Sequence, residues 1–381
     1  METVSQLQAV PKLRVEEEKS YVAPPWKLMW WKFKKHRMAM AASVVLLILY
    51  LFAILAEFVA PFDPFAFNAR YTFAPPQAIH IRDEKGQLQA PFTYEVIKQR
   101  DPVTFATTYK EDTTKPKHYL RLFVHGSAYQ LWGLVPSDLH LFGVEGNSAN
   151  GTLFLFGTDS QGRDLFSRIV FGTRVSLSVS LVGMVFTLIL GILMGGISGY
   201  FGGWVDMFIQ RLIELLQSVP TLPLWMGLAA AIPLNWDPLT VYFIITILLS
   251  LLSWTKLARV VRGKFLSMRE EDFVMAARLL GAGDLRVILR HMVPSFMSYI
   301  IAVTTLTIPE LILSETSLSF IGLGLRPPVV SWGVLLKDAQ NVRSVALAPW
   351  LLLPAVVLIL AVVAFNFFGD GVRDAADPYV R

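Results

Sequence analysis

Residues 275–294 read Met275-Ala276-Ala277-Arg278-Leu279-Leu280-Gly281-Ala282-Gly283-Asp284-Leu285-Arg286-Val287-Ile288-Leu289-Arg290-His291-Met292-Val293-Pro294. The spacing predicts a helix from about Glu270, broken at Gly281-Ala282-Gly283, and a second helix restarting behind Asp284 as its N-cap. Ala276 and Ala277 leave a smooth helix face that another protein's groove can approach, and Gly281 lets the chain reverse. Apolar runs long enough to cross a bilayer lie on either side, at 239–255 and 292–309. The connector between them carries Lys256, Arg259, Arg262, Lys264, Arg269, Arg278, Arg286 and Arg290. A basic helical pair between two spans belongs on the cytoplasmic side, and the chain is therefore read as a polytopic helical membrane protein.

The composition agrees. Of 381 residues, 54% are hydrophobic and 17% charged, and the mean hydropathy is +0.50. Soluble domains carry about 25% charged residues, so an ordinary soluble enzyme and a disordered chain are both excluded. Four more runs, at 38–60, 175–196, 215–232 and 345–369, bring the expected spans to six. The first follows Lys27, Lys32, Lys34, Lys35 and Arg37; it is too long and too far from the terminus for a secretory leader and reads as an anchor. Six crossings put this basic flank, the 256–291 connector and both termini on the cytoplasmic side. Between the last two spans only Arg326, Lys337 and Arg343 are basic. Topology thus accounts for the net charge of +5 without a nucleic-acid partner.

The expected organisation is a tail and basic flank at 1–37, a first span at 38–60, a periplasmic insert at 61–174, a membrane core at 175–369 and a cytoplasmic tail at 370–381. In the insert, runs at 118–124 and 153–156 alternate like short strands, whereas 83–117 looks looser. The fold class is all-α polytopic, six transmembrane helices with a small β-rich periplasmic insert.

No catalytic constellation emerges. There is no cysteine, and the one Gly-Lys pair, Gly263-Lys264, is followed by Phe265 and lacks a glycine at Ala258, so no phosphate-cradling loop forms. The six histidines form no HExxH pair, and no metal is assigned. Gly183, Thr187, Gly191, Gly195, Gly199 and Gly203 recur every four residues and are expected to bring helix backbones together. Arg211 and Glu214 can pair one turn apart, and Pro220 and Pro223 break the third span. Glu310 and Glu315, read near the outer end of the fifth span, are costly in a membrane; they either line a translocation path or cap helix ends at a partner interface. The stretch 322–332, with Pro327-Pro328, reads as an outer re-entrant loop.

The 275–294 segment resembles the EAA loop of permease subunits in binding-protein-dependent ABC importers, matching at Ala276, Ala277, Gly281 and Pro294, with Met275 and His291 departing from the pattern. Residues 157–168 (Gly157-Thr158-Asp159-Ser160-Gln161-Gly162-Arg163-Asp164-Leu165-Phe166-Ser167-Arg168), Leu318-Ser319-Phe320-Ile321-Gly322-Leu323-Gly324, Ser331-Trp332-Gly333 and the ending Gly369-Asp370-Gly371-Val372-Arg373-Asp374 narrow it. They resemble the C-type permease of the oligopeptide, dipeptide and nickel branch. The resemblance implies a type I importer permease in the bacterial inner membrane, with Ala276, Ala277, Gly281, Asp284 and Pro294 contacting an ATPase. It implies a related B-type permease, two ABC ATPases that bind ATP and Mg, and a periplasmic binding protein as partners, in a lipid bilayer. No cofactor is implied in this chain. Peptides are the implied cargo, with oligosaccharides or nickel complexes as alternatives. A stand-alone channel, or an intramembrane hydrolase built on Glu310 and Glu315, are the readings from other classes.

Overall fold

Helix starts follow local capping chemistry in the computed structural model, which describes residues 24–83, 86–100, 102, 107–144, 153–233 and 235–376. A basic helix α1 (Pro25–Lys35) ends at His36, whose ring accepts from the Ala39 amide at 3.0 Å and starts α2 (Arg37–Ile54). The first span, expected to run unbroken over 38–60, is interrupted at Leu55 before a short α3 (Ala56–Val59). The second begins ten residues earlier than its apolar run. Asp164 accepts from the Ser167 amide at 2.7 Å and caps α4 (Leu165–Phe201), so the helix nucleates at the cap and not at the first hydrophobic residue.

The third span is two helices, α5 (Gly203–Ser218) and α6 (Thr221–Ala230), bent by 85°. The cause is Pro220, which caps α6 and cannot continue α5. Asp237 caps α7 (Pro238–Met268), which runs well past the expected end at 255 and takes Lys256, Arg259, Arg262 and Lys264 into the helix. Beyond it lie α8 (Asp272–Leu279), α9 (Asp284–Arg286), a π-helical turn Val287–Met292 and α10 (Val293–Ser295). The fifth span is α11 (Met297–Thr305) followed by α12 (Thr307–Ile321). Short helices α13 (Trp332–Lys337) and α14 (Val342–Leu347) lead to the last span, α15 (Leu353–Ala376). Among the described residues five helices are long and apolar enough to cross a membrane, or six if the bent pair counts as one.

The glycine ladder joins α4 to α7. A Cβ at Gly191 would lie 2.6 Å from Leu257 Cδ2, one at Gly199 2.6 Å from Phe265 Cβ, and one at Gly183 3.1 Å from Ser250 Oγ. Backbones this close leave no room for a side chain, which is how helices gain contact where water expulsion does not drive packing. Gly203 does not belong to the ladder; it is open to space, as the first residue of α5. On the other side of α4, Leu46, Leu49, Leu177, Ile308, Trp332 and Phe365 form a core joining α2, α4, α12, α13 and α15.

Between the first two spans the described residues form six strands: β1 (His80–Arg82), β2 (Leu88–Thr93), β3 (Glu95–Arg100), β4 (Thr107–Asp112), β5 (His118–Leu131) and β6 (Val135–Val144). β1, β2, β5 and β6 make one antiparallel sheet and β3–β4 a second, registered from Glu95↔Asp112 to Arg100↔Thr107. The stretch 83–117, expected to be loose, therefore holds three strands. Their residues are mostly polar, so they lack the apolar alternation that marks a strand. Residues 153–156 are not a strand; Leu153 and Phe154 are buried, and the Phe154 amide donates to Gln77 Oε1 at 2.6 Å.

Candidate functional site: the segment between the fourth and fifth spans, and the intramembrane charges

The helix α8 buries Val274 and Ala277 against Tyr200, Phe265, Val287 and Met292. Its other face is open. Ala276 and Met275 are exposed, and Leu279 and Leu280 are 89% and 88% exposed, far beyond what a chain-internal contact would leave. Ala276 and Ala277 thus do different jobs: one lies on the free surface, and the other packs inward.

The turn after α8 closes by a Schellman motif. The Ala282 amide donates to the Ala277 carbonyl at 3.0 Å and the Gly281 amide to the Arg278 carbonyl at 2.9 Å. Gly281 takes φ +82°, and a Cβ built there would meet no described atom within 4 Å beyond its chain neighbours, so glycine is required here by backbone conformation and not by space. Leu285, 68% exposed, extends the apolar knob formed by Leu279 and Leu280.

Asp284 was expected to cap the second helix. Gly283 is the cap residue instead, and the Asp284 carboxylate points elsewhere: it accepts from the Tyr200 hydroxyl at 2.5 Å. Arg278 completes the contact, with Nε 3.2 Å from the Tyr200 oxygen and its guanidinium 4.7 Å above the Tyr200 ring. The carboxylate thereby makes a charge-assisted bond that ties this turn to the end of α4 in place of a local cap. Pro294 is exposed in α10. Having no N–H, it cannot close a bond to the Arg290 carbonyl, and the chain before it widens into the π-helical turn.

The two intramembrane carboxylates have different surroundings. Glu310 falls near the middle of the Met297–Ile321 span, not at its outer end, and Lys256 Nζ lies 3.0 and 2.9 Å from its two oxygens. Both side chains are more than half exposed, at 66% for Lys256 and 55% for Glu310. Charges at mid-span do not face lipid tails, so this face of α7 and α12 meets protein or water.

Glu315 does not face an open path. It is 0% exposed and accepts from Ser331 Oγ at 2.7 Å, Ser319 Oγ at 2.8 Å and Ser176 Oγ at 3.1 Å. Each hydroxyl in turn accepts a backbone amide: Val334 on Ser331, Leu325 on Ser319 and Trp332 on Ser176. The carboxylate therefore orients three serines that together fix the 322–332 segment against α4 and α12.

Arg211 and Glu214 pair at 2.7 Å as their spacing predicts. Asp206 reaches across to Arg262 in α7, at 2.5 and 2.6 Å to Nε and Nη2. Tyr200 and Lys256 escaped sequence reading: Tyr200 looks like one more residue of an apolar run, and Lys256 looks like the first residue of a loop. Among the described residues no cluster of three or more His, Asp or Glu side chains could hold a metal ion.

Comparison with known proteins identifies the family of the chain. Residues 171–381 match the model for binding-protein-dependent transport system inner membrane components, and residues 24–76 match the N-terminal transmembrane domain of oligopeptide transport permease C. The oligopeptide transport system permease protein OppC of Haemophilus influenzae is 41% identical over 227 residues, 59% of this chain and 70% of that protein. The dipeptide transport system permease protein DppC of Lactococcus lactis subsp. cremoris is 32% identical over 356 residues, 92% of this chain and 89% of its own. Among solved structures, the MetNI methionine ABC transporter in an inward-facing form aligns over 56% of this chain and 98% of its own, with a TM-score of 0.43 and 16% identity. The chain belongs to the inner-membrane permease components of binding-protein-dependent transport systems, a multi-pass family of ABC importers.

Proposed function

We propose that the chain is the C-type subunit of a peptide importer, forming half of the translocation path beside a B-type permease, with two ABC ATPases on its cytoplasmic face. The names of its relatives, oligopeptide and dipeptide permeases, support peptides as cargo. The observation that carries the mechanism is the set of Leu279, Leu280 and Leu285, apolar and exposed, on a turn whose inner face is locked to the membrane helices by Tyr200, Arg278 and Asp284. Such a knob fits a groove on an ATPase and passes its movement to α4 through the latch instead of absorbing it in a loose loop. Ala276, Gly281 and Asp284 shape the contact; Ala277 and Pro294 shape the helices behind it.

In this reading both termini and the 256–291 region are cytoplasmic, the 61–174 insert is periplasmic, and a binding protein delivers peptide on that side. Glu310 and Lys256 line the path and meet the charged ends of a peptide, whereas Glu315 holds the outer segment in shape. ATP and Mg bind the ATPase subunits, and this chain contributes no covalent step. Reconstituted with its ATPases, B-type permease and binding protein, the complex is expected to hydrolyse ATP and accumulate peptide in vesicles. Nucleotide binding by the purified chain alone would refute the division of labour.

A further inference from the structure

We propose that the tip of the β5–β6 hairpin is a membrane anchor, with Trp132, Leu134 and Val135 seated in the lipid leaflet at the end of the first span. The turn itself is tight: Leu131 pairs with Val135, and the Leu134 amide donates to the Leu131 carbonyl at 3.0 Å. That closure turns side chains outward, leaving Leu134 83%, Val135 57% and Trp132 55% exposed. Residues 129–137 carry no charge. An apolar, uncharged tip of this kind is out of place in water, and the described residues leave Leu134 and Val135 largely uncovered.

Three contacts fix how deep the tip lies. His140 Nδ1 is 2.6 Å from the Ala60 carbonyl, and the Phe123 ring is 6.3 Å from that of Phe58. At the far end of the hairpin, Trp132 Nε1 donates to the Ile54 carbonyl at 2.9 Å. The hairpin thus descends along the end of the first span, by about 9 Å at the helical rise for six residues. Counting from Arg37, α2 is about 27 Å long, close to the hydrocarbon thickness of about 30 Å, so Ile54 stands at the boundary of the apolar layer.

The polar neighbours are those of such a boundary. Arg174 stacks on Trp132 with its guanidinium 4.3 Å from the ring, donates to the Ala53 carbonyl at 2.6 Å and pairs with Glu57. Trp and Arg side by side at headgroup level is the arrangement that anchors membrane proteins at their interfaces, with Leu134 and Val135 below it among the acyl chains. The inference needs only that α2 spans the membrane; it does not depend on the ATPase reading.

The test uses the natural absence of cysteine in this chain. Leu134→Cys, and Thr113→Cys as an exposed site elsewhere in the insert, are labelled with an environment-sensitive fluorophore in the assembled importer, its partner subunits made cysteine-free, in nanodiscs. The probe at 134 is expected to be quenched by lipids spin-labelled near the headgroup, and its quenching by aqueous iodide to be at least about threefold weaker than at 113. Equal iodide quenching at both sites, without lipid quenching, overturns the proposal by placing the tip in water. Shielding of position 134 from both quenchers overturns it too, since a partner subunit then covers the tip. Complex yield from the unlabelled variants confirms that assembly is intact.

Discussion

The hydroxyl of Tyr200, in the last turn of α4, donates to the carboxylate of Asp284 across 2.5 Å, joining the end of a 37-residue membrane helix to the turn of the connecting segment. Residues 84 apart in sequence are thereby held as one unit, with Arg278 stacked on the ring from the intervening helix. On the proposed coupling route, a push on the exposed leucines reaches α4 through this link together with the packing of Val274 and Ala277 against Tyr200. Tyr200→Phe removes the hydroxyl and keeps the ring. It is expected to leave complex yield unchanged, with a loss of about 1 kcal/mol of coupling, and to lower peptide transported per ATP roughly fivefold. The ratio of uptake to hydrolysis in proteoliposomes measures it.

Gly281 tests the turn separately. Because nothing lies near it, a side chain there meets no steric wall within the chain, and the cost of Gly281→Leu is that of a left-handed residue, about 1–2 kcal/mol. The variant is expected to reach the membrane at normal levels and to transport poorly, while Gly281→Asn, which tolerates this conformation, keeps more activity. Normal uptake by Gly281→Leu at equal expression would remove this turn from the coupling path.

Glu310 and Glu315 separate a path role from a structural one. Glu315→Gln replaces an acceptor of three serine hydroxyls by a group that is half donor, and loses charge-assisted bonds of about 1.5–3 kcal/mol each. It is expected to lower the melting temperature and yield of the complex without distinguishing cationic from neutral peptides. Glu310→Gln frees Lys256 and is expected to shift the preference between peptides of opposite charge, with stability little changed. Competition uptake with peptide pairs differing in one charged residue distinguishes the two.

Asp164 predicts a pH dependence. Burial pushes its carboxyl up to about 6 from an ordinary 3.8, and its Oδ1 has no hydrogen-bond partner among the described residues that would stabilise a charge on it. The folded state therefore holds a proton that the unfolded state releases between about pH 4 and 6. Stability is highest below that window and falls as pH rises through it, by on the order of 3 kcal/mol for a shift of about two units. Asp164→Asn, which keeps the cap and cannot titrate, is expected to flatten the fall in melting temperature between pH 4 and 6.5. An unchanged slope would place the titration elsewhere.

Much of this was legible because membrane spans obey one strong rule. Long apolar runs flanked by basic residues located the spans, and a four-residue glycine period correctly marked the face where α4 meets α7. What escaped were features governed by single polar contacts. The start of α4 was set by Asp164, eleven residues before the hydrophobic run; the charged residues of α7 continue a helix that the apolar run alone ends at 255. In the connecting segment the helix, break and restart could be read from Gly281 and its neighbours. The partner of Asp284 could not, because Tyr200 is distant in sequence and sits in an apolar run. The basic helix Pro25–Lys35 was hidden for a related reason: tryptophans and lysines alternating on its surface resemble the flank of a span and not an element of their own.

The central claim is that the Leu279–Leu285 knob docks on an ATPase subunit at the cytoplasmic face, and a cysteine at position 280 tests it most directly. In right-side-out vesicles containing the assembled importer, Leu280→Cys is expected to resist a membrane-impermeant thiol reagent added outside. It is also expected to crosslink to a cysteine on the ATPase surface, with a yield that changes between nucleotide-free and ATP-bound states. Ready labelling from the outside, with no crosslink to the ATPase in either state, would contradict both the topology and the coupling role.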